Sequence, residues 1–217
     1  MLPLWSDAHS DVRVVRLTDA VEIETLICFF EEIAIEQNWK PDGALRLWQN
    51  SAVYFALEKD GMLIGGLQLV VEPDLQGRLP YQSVWPEVQI SDASQAAHAA
   101  ILALQEEYRG RPLLWWKLVV EAWRYAAGHG IPKLSLEVSP RKLALYRRMG
   151  WPLEIQSDLR MHWGASTYLC ALGIPAVAEA MLRRAEHSRQ YQQIVAQGLR
   201  LNYILEEDQA SHNISVC

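Results

Sequence analysis

Residues 98–151 read HAAILALQEEYRGRPLLWWKLVVEAWRYAAGHGIPKLSLEVSPRKLALYRRMGW, and this stretch decides the fold. His98 to Gln105 is short and apolar, as a buried strand is. Tyr108-Arg109-Gly110-Arg111 supplies a turn, and Pro112 stands where proline suits a helix best, at its first position. From Pro112 to Ala127 the polar residues Lys117, Glu121 and Arg124 share one narrow strip while nearly all the rest is apolar. Such a helix is buried on most sides. Gly128 and Gly130 end it. Leu134 to Val138 is a further strand, and Pro140 to Met149 a short helix stopped by Gly150.

Upstream, Val12 to Leu17 reads as a strand, with Thr18 or Asp19 capping an amphipathic helix over residues 20–37. Lys40-Pro41-Asp42-Gly43 breaks that helix, and a short one follows from Ala44 to Gln49. Ala52–Glu58 and Met62–Val71 flank Lys59-Asp60-Gly61, which predicts an antiparallel hairpin. Residues 73–96 are irregular, with Pro73, Gly77, Pro80 and Pro86 spaced through them; so long a loop in a small domain is functional or mobile. Downstream, a last sheet region is expected within residues 153–171, then a long helix from Pro175 to Gln197. The fold class is therefore mixed α/β: one domain over residues 1–200, and a flexible acidic tail over 201–217.

The bulk properties fit this picture. A chain of 217 residues, 50% apolar, builds one proper core. No apolar run approaches the ~18 residues of a membrane span, and Met1 to Asp7 lacks the basic start and apolar stretch of a signal peptide. Cys28, Cys170 and Cys217 are few and far apart, and His129, His162 and His187 are scattered, so neither a disulfide framework nor a metal site is expected. A reducing cytoplasm suits these thiols. The net charge of −6 disfavours bulk nucleic-acid binding. It is unevenly spread: Arg109 to Arg148 holds nine basic residues against two acidic ones, or +7, which leaves −13 for the rest. That asymmetry points either to an acidic partner for one face or to solvated helix surfaces.

The strand–turn–helix at Tyr108 to Pro112 carries the chemistry. Free N–H groups at a helix start, together with the helix dipole, bind an anion without special side chains. The whole 98–151 stretch resembles the central motifs of GNAT (Gcn5-related N-acetyltransferase) acyltransferases, in which a turn of this kind holds the donor's pyrophosphate. The resemblance implies a central, mostly antiparallel twisted sheet, splayed at the donor site and flanked by helices. Leu104, Arg109, Gly110, Arg111, Leu113 and Ser139 then fall on the donor-binding positions. Glu107 and Pro112 depart from the family's usual residues, and Pro112 removes one amide donor. A thinner site of this kind suits a carrier protein's single phosphodiester at least as well as coenzyme A. Leu145-Tyr146-Arg147-Arg148-Met149-Gly150-Trp151 resembles the family signature whose tyrosine acts as acid toward the leaving thiolate, which assigns that role to Tyr146.

The middle of the chain is similar to acyl-homoserine lactone synthases and long-chain N-acyl amino acid synthases, through Ile64-Gly65-Gly66-Leu67-Gln68-Leu69, Leu79-Pro80-Tyr81 and Val84-Trp85-Pro86-Glu87. This implies acyl transfer from acyl-CoA or acyl-carrier protein to a small amine, an amino acid or a homoserine-lactone type. An acetyl-CoA-dependent acetyltransferase and a non-catalytic binding protein of the same fold are the alternatives. Gln68 stands where those synthases have arginine, residues 45–50 lack their acids, and His98 replaces a glutamate. A histidine of ordinary pKa near 6.5 takes a proton from an ammonium acceptor, so His98 is one base candidate and Glu137 on the next strand another. Each also has a plain reading, a satisfied or exposed strand-edge histidine and a glutamate paired with Lys133 or an arginine. Of the nine tryptophans, Trp115, Trp116 and Trp123 are expected to fill the core rather than line an acyl pocket.

Overall fold

Two short apolar strands joined by a 17-residue buried helix cannot form a hairpin; a crossover of this length makes them parallel. A computed structural model, which describes residues 12–40, 43–90, 95–189 and 191–192, shows this arrangement. In it β4 (Ala96–Leu104) and β5 (Lys133–Val138) run parallel, with α3 (Pro112–Gly128) crossing between them. All other strand pairs are antiparallel. The remaining elements are β1 (Val12–Leu17), α1 (Ala20–Glu36), α2 (Ala44–Leu47), β2 (Ala52–Lys59), β3 (Met62–Val70), α4 (Pro140–Arg148), β6 (Glu154–Ile155), β7 (Arg160–His162), β8 (Ala165–Gly173) and α5 (Ile174–Ala185). The sheet order is β1-β2-β3-β4-β5-β8-β6, with β7 paired to β8.

The strand, hairpin and helix boundaries expected from the sequence agree closely with these elements. Asp19 is the N-cap of α1, its carboxylate accepting from the Val21 and Glu22 amides. The expected helix to Gln197 is shorter: α5 ends at Ala185, and the Gln192 amide donates to the Ser188 carbonyl in a separate turn. Ser188, whose hydroxyl type competes with helical hydrogen bonding, suits a new start better than a helix interior. Residues 193–217, and with them the expected flexible tail, lie outside the described residues.

Three apolar clusters surround the sheet. On the α3 face Trp116, Trp123, Leu118 and Cys170 are buried. On the opposite face Leu26, Ile27 and Phe30 of α1 pack over Tyr54 and Ile101. The third cluster belongs to the irregular stretch, where Leu79, Tyr81, Trp85 and Ile90 pack against Val70, Ala96 and Leu169. The long loop is thus anchored by its own core, which its turn residues conceal from a periodicity reading.

One local feature positions the site. β4 is held to β5 only from Ala96 to Ala99, opposite Lys133 to Leu136. Beyond Ala99, β4 stays with β3, and Glu137 and Val138 stay with β8. The β3–β4 register shifts between Gln68 and Leu69, leaving Ala100 as an extra residue on β4. A bulge bends and twists its strand, and here the two strands part. β3 presses closely on the parted end: a Cβ on Gly65 meets Leu104 Cδ2 at 2.3 Å and the Ala103 carbonyl oxygen at 2.9 Å. Only glycine fits there.

Candidate active site

The parting of β4 and β5 opens a cavity of about 1160 Å³ that reaches both faces of the sheet. On the α3 face it is lined by Trp115, Val119, Trp123, Ser139, Tyr146 and Trp151. On the α1 face it is lined by Trp39, Trp48, Gln68, His98, Glu137 and His162.

The α3 face holds the residues that the sequence marked for the donor. Gly110 (φ 80°) makes the left-handed turn that aims the chain into α3, and it lines the cavity. α3 starts without a side-chain cap, at Arg111; Pro112 has no N–H and the Leu114 amide donates to the Arg111 carbonyl at 3.1 Å, so the first turn offers an anion the Leu113 amide at most. Leu104, at the end of β4, is buried, and its carbonyl accepts from Arg109 Nε at 2.9 Å. The rest of the Arg109 guanidinium is held by Glu36 at 2.5 and 2.8 Å. Arg109 therefore fixes the turn and is not a loose phosphate ligand. Arg111 is exposed and lies over the Tyr108 ring at 5.4 Å. Ser139 is the N-cap of α4, its hydroxyl accepting from the Lys142 amide at 3.4 Å. Tyr146 stacks on Trp151 (centroids 4.8 Å apart) and meets Trp115 at 5.8 Å. Burial raises its pKa and keeps the phenol protonated at neutral pH. Trp115 and Trp123 belong to the core, as expected, and also line the cavity. Trp151 Nε1 is buried and has no partner among the described residues.

On the other face His98 and Glu137 come together. His98 is not at a strand edge: it is 2% exposed, mid-sheet, under Tyr81. Ser135 spends its one hydroxyl proton on the Ala97 carbonyl at 3.1 Å, so its oxygen accepts from His98 Nδ1–H at 3.0 Å. That network assigns the tautomer. Burial lowers the His98 pKa to about 4, against a smaller opposing pull from Glu137, so the ring is neutral at pH 7. Its Nε2 lone pair then faces Glu137 Oε1 at 3.9 Å. At that distance the two are neither hydrogen-bonded nor, with the ring neutral, an ion pair.

Glu137 does not pair with Lys133, whose ammonium reaches the Ile90 carbonyl at 3.5 Å instead. Its Oε2 accepts from His162 Nδ1 in a very short contact and from Thr167 Oγ1 at 3.5 Å. His162 is the residue that sequence reasoning missed, set aside as one scattered histidine among several. It ends β7, and β8 brings that hairpin alongside β5. Trp85 packs edge-on to its ring at 6.3 Å.

No family's sequence profile matches the chain, and no curated protein matches it. Solved structures do. FeeM, an N-acyl amino acid synthase from uncultured soil microbes, matches with a TM-score of 0.62 and 16% identity, over 79% of this chain and 95% of that one. The lactone synthase LasI matches with 0.58 and 14%, over 77% and 91%. BjaI, a CoA-dependent acyl-homoserine lactone synthase solved with SAM and isopentyl-CoA, matches with 0.56 and 15%, over 76% and 82%. The chain has the GNAT fold. The mostly antiparallel sheet, parted beside α3, is the GNAT architecture expected from the sequence. Among the described residues no helix is long and apolar enough to cross a membrane.

Proposed function

We propose that this protein is an N-acyltransferase that moves an acyl group from a thioester, on coenzyme A or a carrier protein, to a small amine. The observation that carries the reading is the opening between β4 and β5. One cavity joins an uncapped helix start and a protonated tyrosine on one face to a neutral His98 beside Glu137 and His162 on the other. The donor's phosphate sits at the Gly110 turn that opens α3. Its pantetheine arm lies along the backbone of residues 100–104 that β5 leaves free. The thioester carbonyl is then at the opening, polarised by backbone N–H groups.

The acceptor amine enters from the α1 face. His98 Nε2 and Glu137 Oε1, 3.9 Å apart, form a seat for its N–H groups. Glu137, steadied by His162 and Thr167, takes the ammonium proton. The freed nitrogen lone pair attacks the thioester carbon, a C–N bond forms, the C–S bond breaks, and the nitrogen sheds a second proton that goes back, through solvent, to the Tyr146 oxygen once the phenol has protonated the sulfur. Tyr146 gives its proton to the departing thiolate. The products are an amide and a free thiol.

A carrier protein suits the donor face electrostatically. Arg111, Arg141, Lys142, Arg147 and Arg148 are exposed around the mouth of α3 and α4. The basic stretch is less uniform than its +7 implies, because Arg109 and Arg124 are held by Glu36 and Glu121, and Lys117 is buried with its ammonium at the Val12 carbonyl. The exposed remainder complements an acidic partner.

The test is thiol release. Wild-type protein is mixed with acyl-CoA or acyl-carrier protein and a panel of primary amines, and free thiol and amide are measured together. Amine-dependent release of both is expected, slowed about 100-fold in Tyr146→Phe. Donor binding without turnover, across the whole panel, contradicts the enzymatic reading and leaves a binding role. Full activity in Tyr146→Phe removes the acid from that tyrosine.

A further inference from the structure

A second unpartnered acceptor lies in the same half of the cavity. Gln68 is 1% exposed on β3 and lines the cavity wall. Its Nε2 donates to the Leu45 carbonyl at 3.0 Å and to the Tyr54 hydroxyl at 2.9 Å. A backbone carbonyl only accepts, so the amide cannot be flipped. Both amide protons are used, and Oε1 is left buried with no partner among the described residues. A buried acceptor without a donor is costly, and native proteins seldom leave one unless something supplies the donor.

The surroundings decide what that something is. Around Gln68 the wall consists of Ile33, Leu45, Trp39, Trp48, Ile101 and Trp163, and these side chains offer no charge. Arg46 follows Leu45 but turns outward, clamped by Glu24 and Glu31 at 2.7 to 2.9 Å. Arg78, at the rim, is held by Asp74 at 2.9 Å. Lys40, also at the rim, is exposed. A carboxylate at Gln68 would face an oxygen and lose its water without a cation in exchange. Beside the indole N–H groups of the wall, the strands present three acceptors to this half, Gln68 Oε1, His98 Nε2 and Glu137. Gln68 on β3 and Glu137 on β5 lie on either side of β4, two strand spacings or roughly 10 Å apart where the sheet is intact and further where β4 and β5 part. One small molecule spans that distance.

We infer that the acceptor is an amine that also carries an uncharged hydrogen-bond donor, a hydroxyl or amide N–H, which seats on Gln68 Oε1. Gln68 is then a specificity-determining residue that selects amino alcohols and amino amides over plain alkylamines and over free α-amino acids. The inference rests on the transferase reading only for its choice of an amine, since the seat itself is a matter of binding.

The experiment compares matched pairs on the full chain: amino alcohols of two to six carbons and tyramine, against alkylamines of equal length and phenethylamine, with amino acids and their amides as a further pair. Two readouts are taken, the shift in Tm at equal ligand concentration and kcat/KM with acyl-CoA. For at least one pair the hydroxyl or amide member is expected to raise Tm more and to be used at least tenfold better. In Gln68→Met, which keeps the side chain's length, that ratio falls to about one. If Gln68→Met does not fold, the wild-type pairs still decide. Equal binding and use within every pair, or preference for the free amino acids, overturns the inference, as does a preference that survives in folded Gln68→Met. A paired Tm difference without any acyl transfer supports the seat while contradicting the transferase.

Discussion

The two halves of the cavity are built by different means. On the α3 face the important groups are largely backbone: a left-handed Gly110, an uncapped helix start and the freed edge of β4. Side chains there mainly hold the backbone in place, as Arg109 does through Glu36 and the Leu104 carbonyl, and Ser139 through its cap. On the α1 face the important groups are side chains from four separate strands, Gln68, His98, Glu137 and His162, on β3, β4, β5 and β7. A backbone site needs a fold and tolerates substitution. A side-chain site needs particular atoms, so it is where specificity changes between proteins of one fold.

Substitutions sharpen the contrast. The largest expected effect is on the side-chain half: Glu137→Gln keeps the shape, removes the base and leaves His162 and Thr167 without a charged acceptor. It should lower kcat/KM by 10²–10⁴, of the order general base catalysis supplies. Calorimetric titration should find donor affinity unchanged, since the phosphate site proposed for the donor lies on the other face. Loss of donor binding would break the division into halves.

Next comes the cost of keeping His98 neutral. Its folded pKa is about 4, below the ordinary 6.5, because it is buried. Below pH 6.5 the unfolded chain takes up a proton that the native protein refuses, so stability falls as pH drops toward 4 and is full above 6.5. The loss should be roughly 3 kcal/mol, read from denaturant midpoints between pH 7 and 4. In His98→Gln this part of the slope should vanish. An unchanged slope would mean that His98 is charged or solvated in the native state.

The smallest effect lies outside both halves. Arg46 is exposed and bridges Glu24 and Glu31 on α1. Arg46→Ala should leave the denaturation midpoint nearly where it is and leave acceptor preference alone, as exposed pairs do. A changed acceptor preference would place Arg46 in the cavity.

The same contrast explains what was legible in the sequence. The half proposed for the donor lies within one continuous stretch, and its signals are local: a Pro at a helix start, glycines at turns, an apolar helix with one polar strip. Gly110, Tyr146 and the sheet order around them follow from neighbours along the chain. The acceptor half is assembled across the sheet. Glu137 is visible as a lone acid on a strand, but its partner His162 sits on a three-residue strand too short for periodicity to reveal. The unpaired oxygen of Gln68 emerges only after β2 and α2 bring Tyr54 and the Leu45 carbonyl to its amide protons. The state of His98 likewise depends on Ser135, a strand away. Hydrogen bonds that settle protonation belong to the folded register, and no spacing rule in the chain encodes them.

The central claim is that donor and acceptor meet through the opening between β4 and β5. A crystal structure with a non-hydrolysable acyl-CoA thioether tests it most directly. The account predicts phosphate density at residues 110–114, the pantetheine arm beside residues 100–104, and the sulfur within hydrogen-bonding reach of the Tyr146 hydroxyl. A ligand bound outside that opening, or phosphates held away from the start of α3, would contradict it.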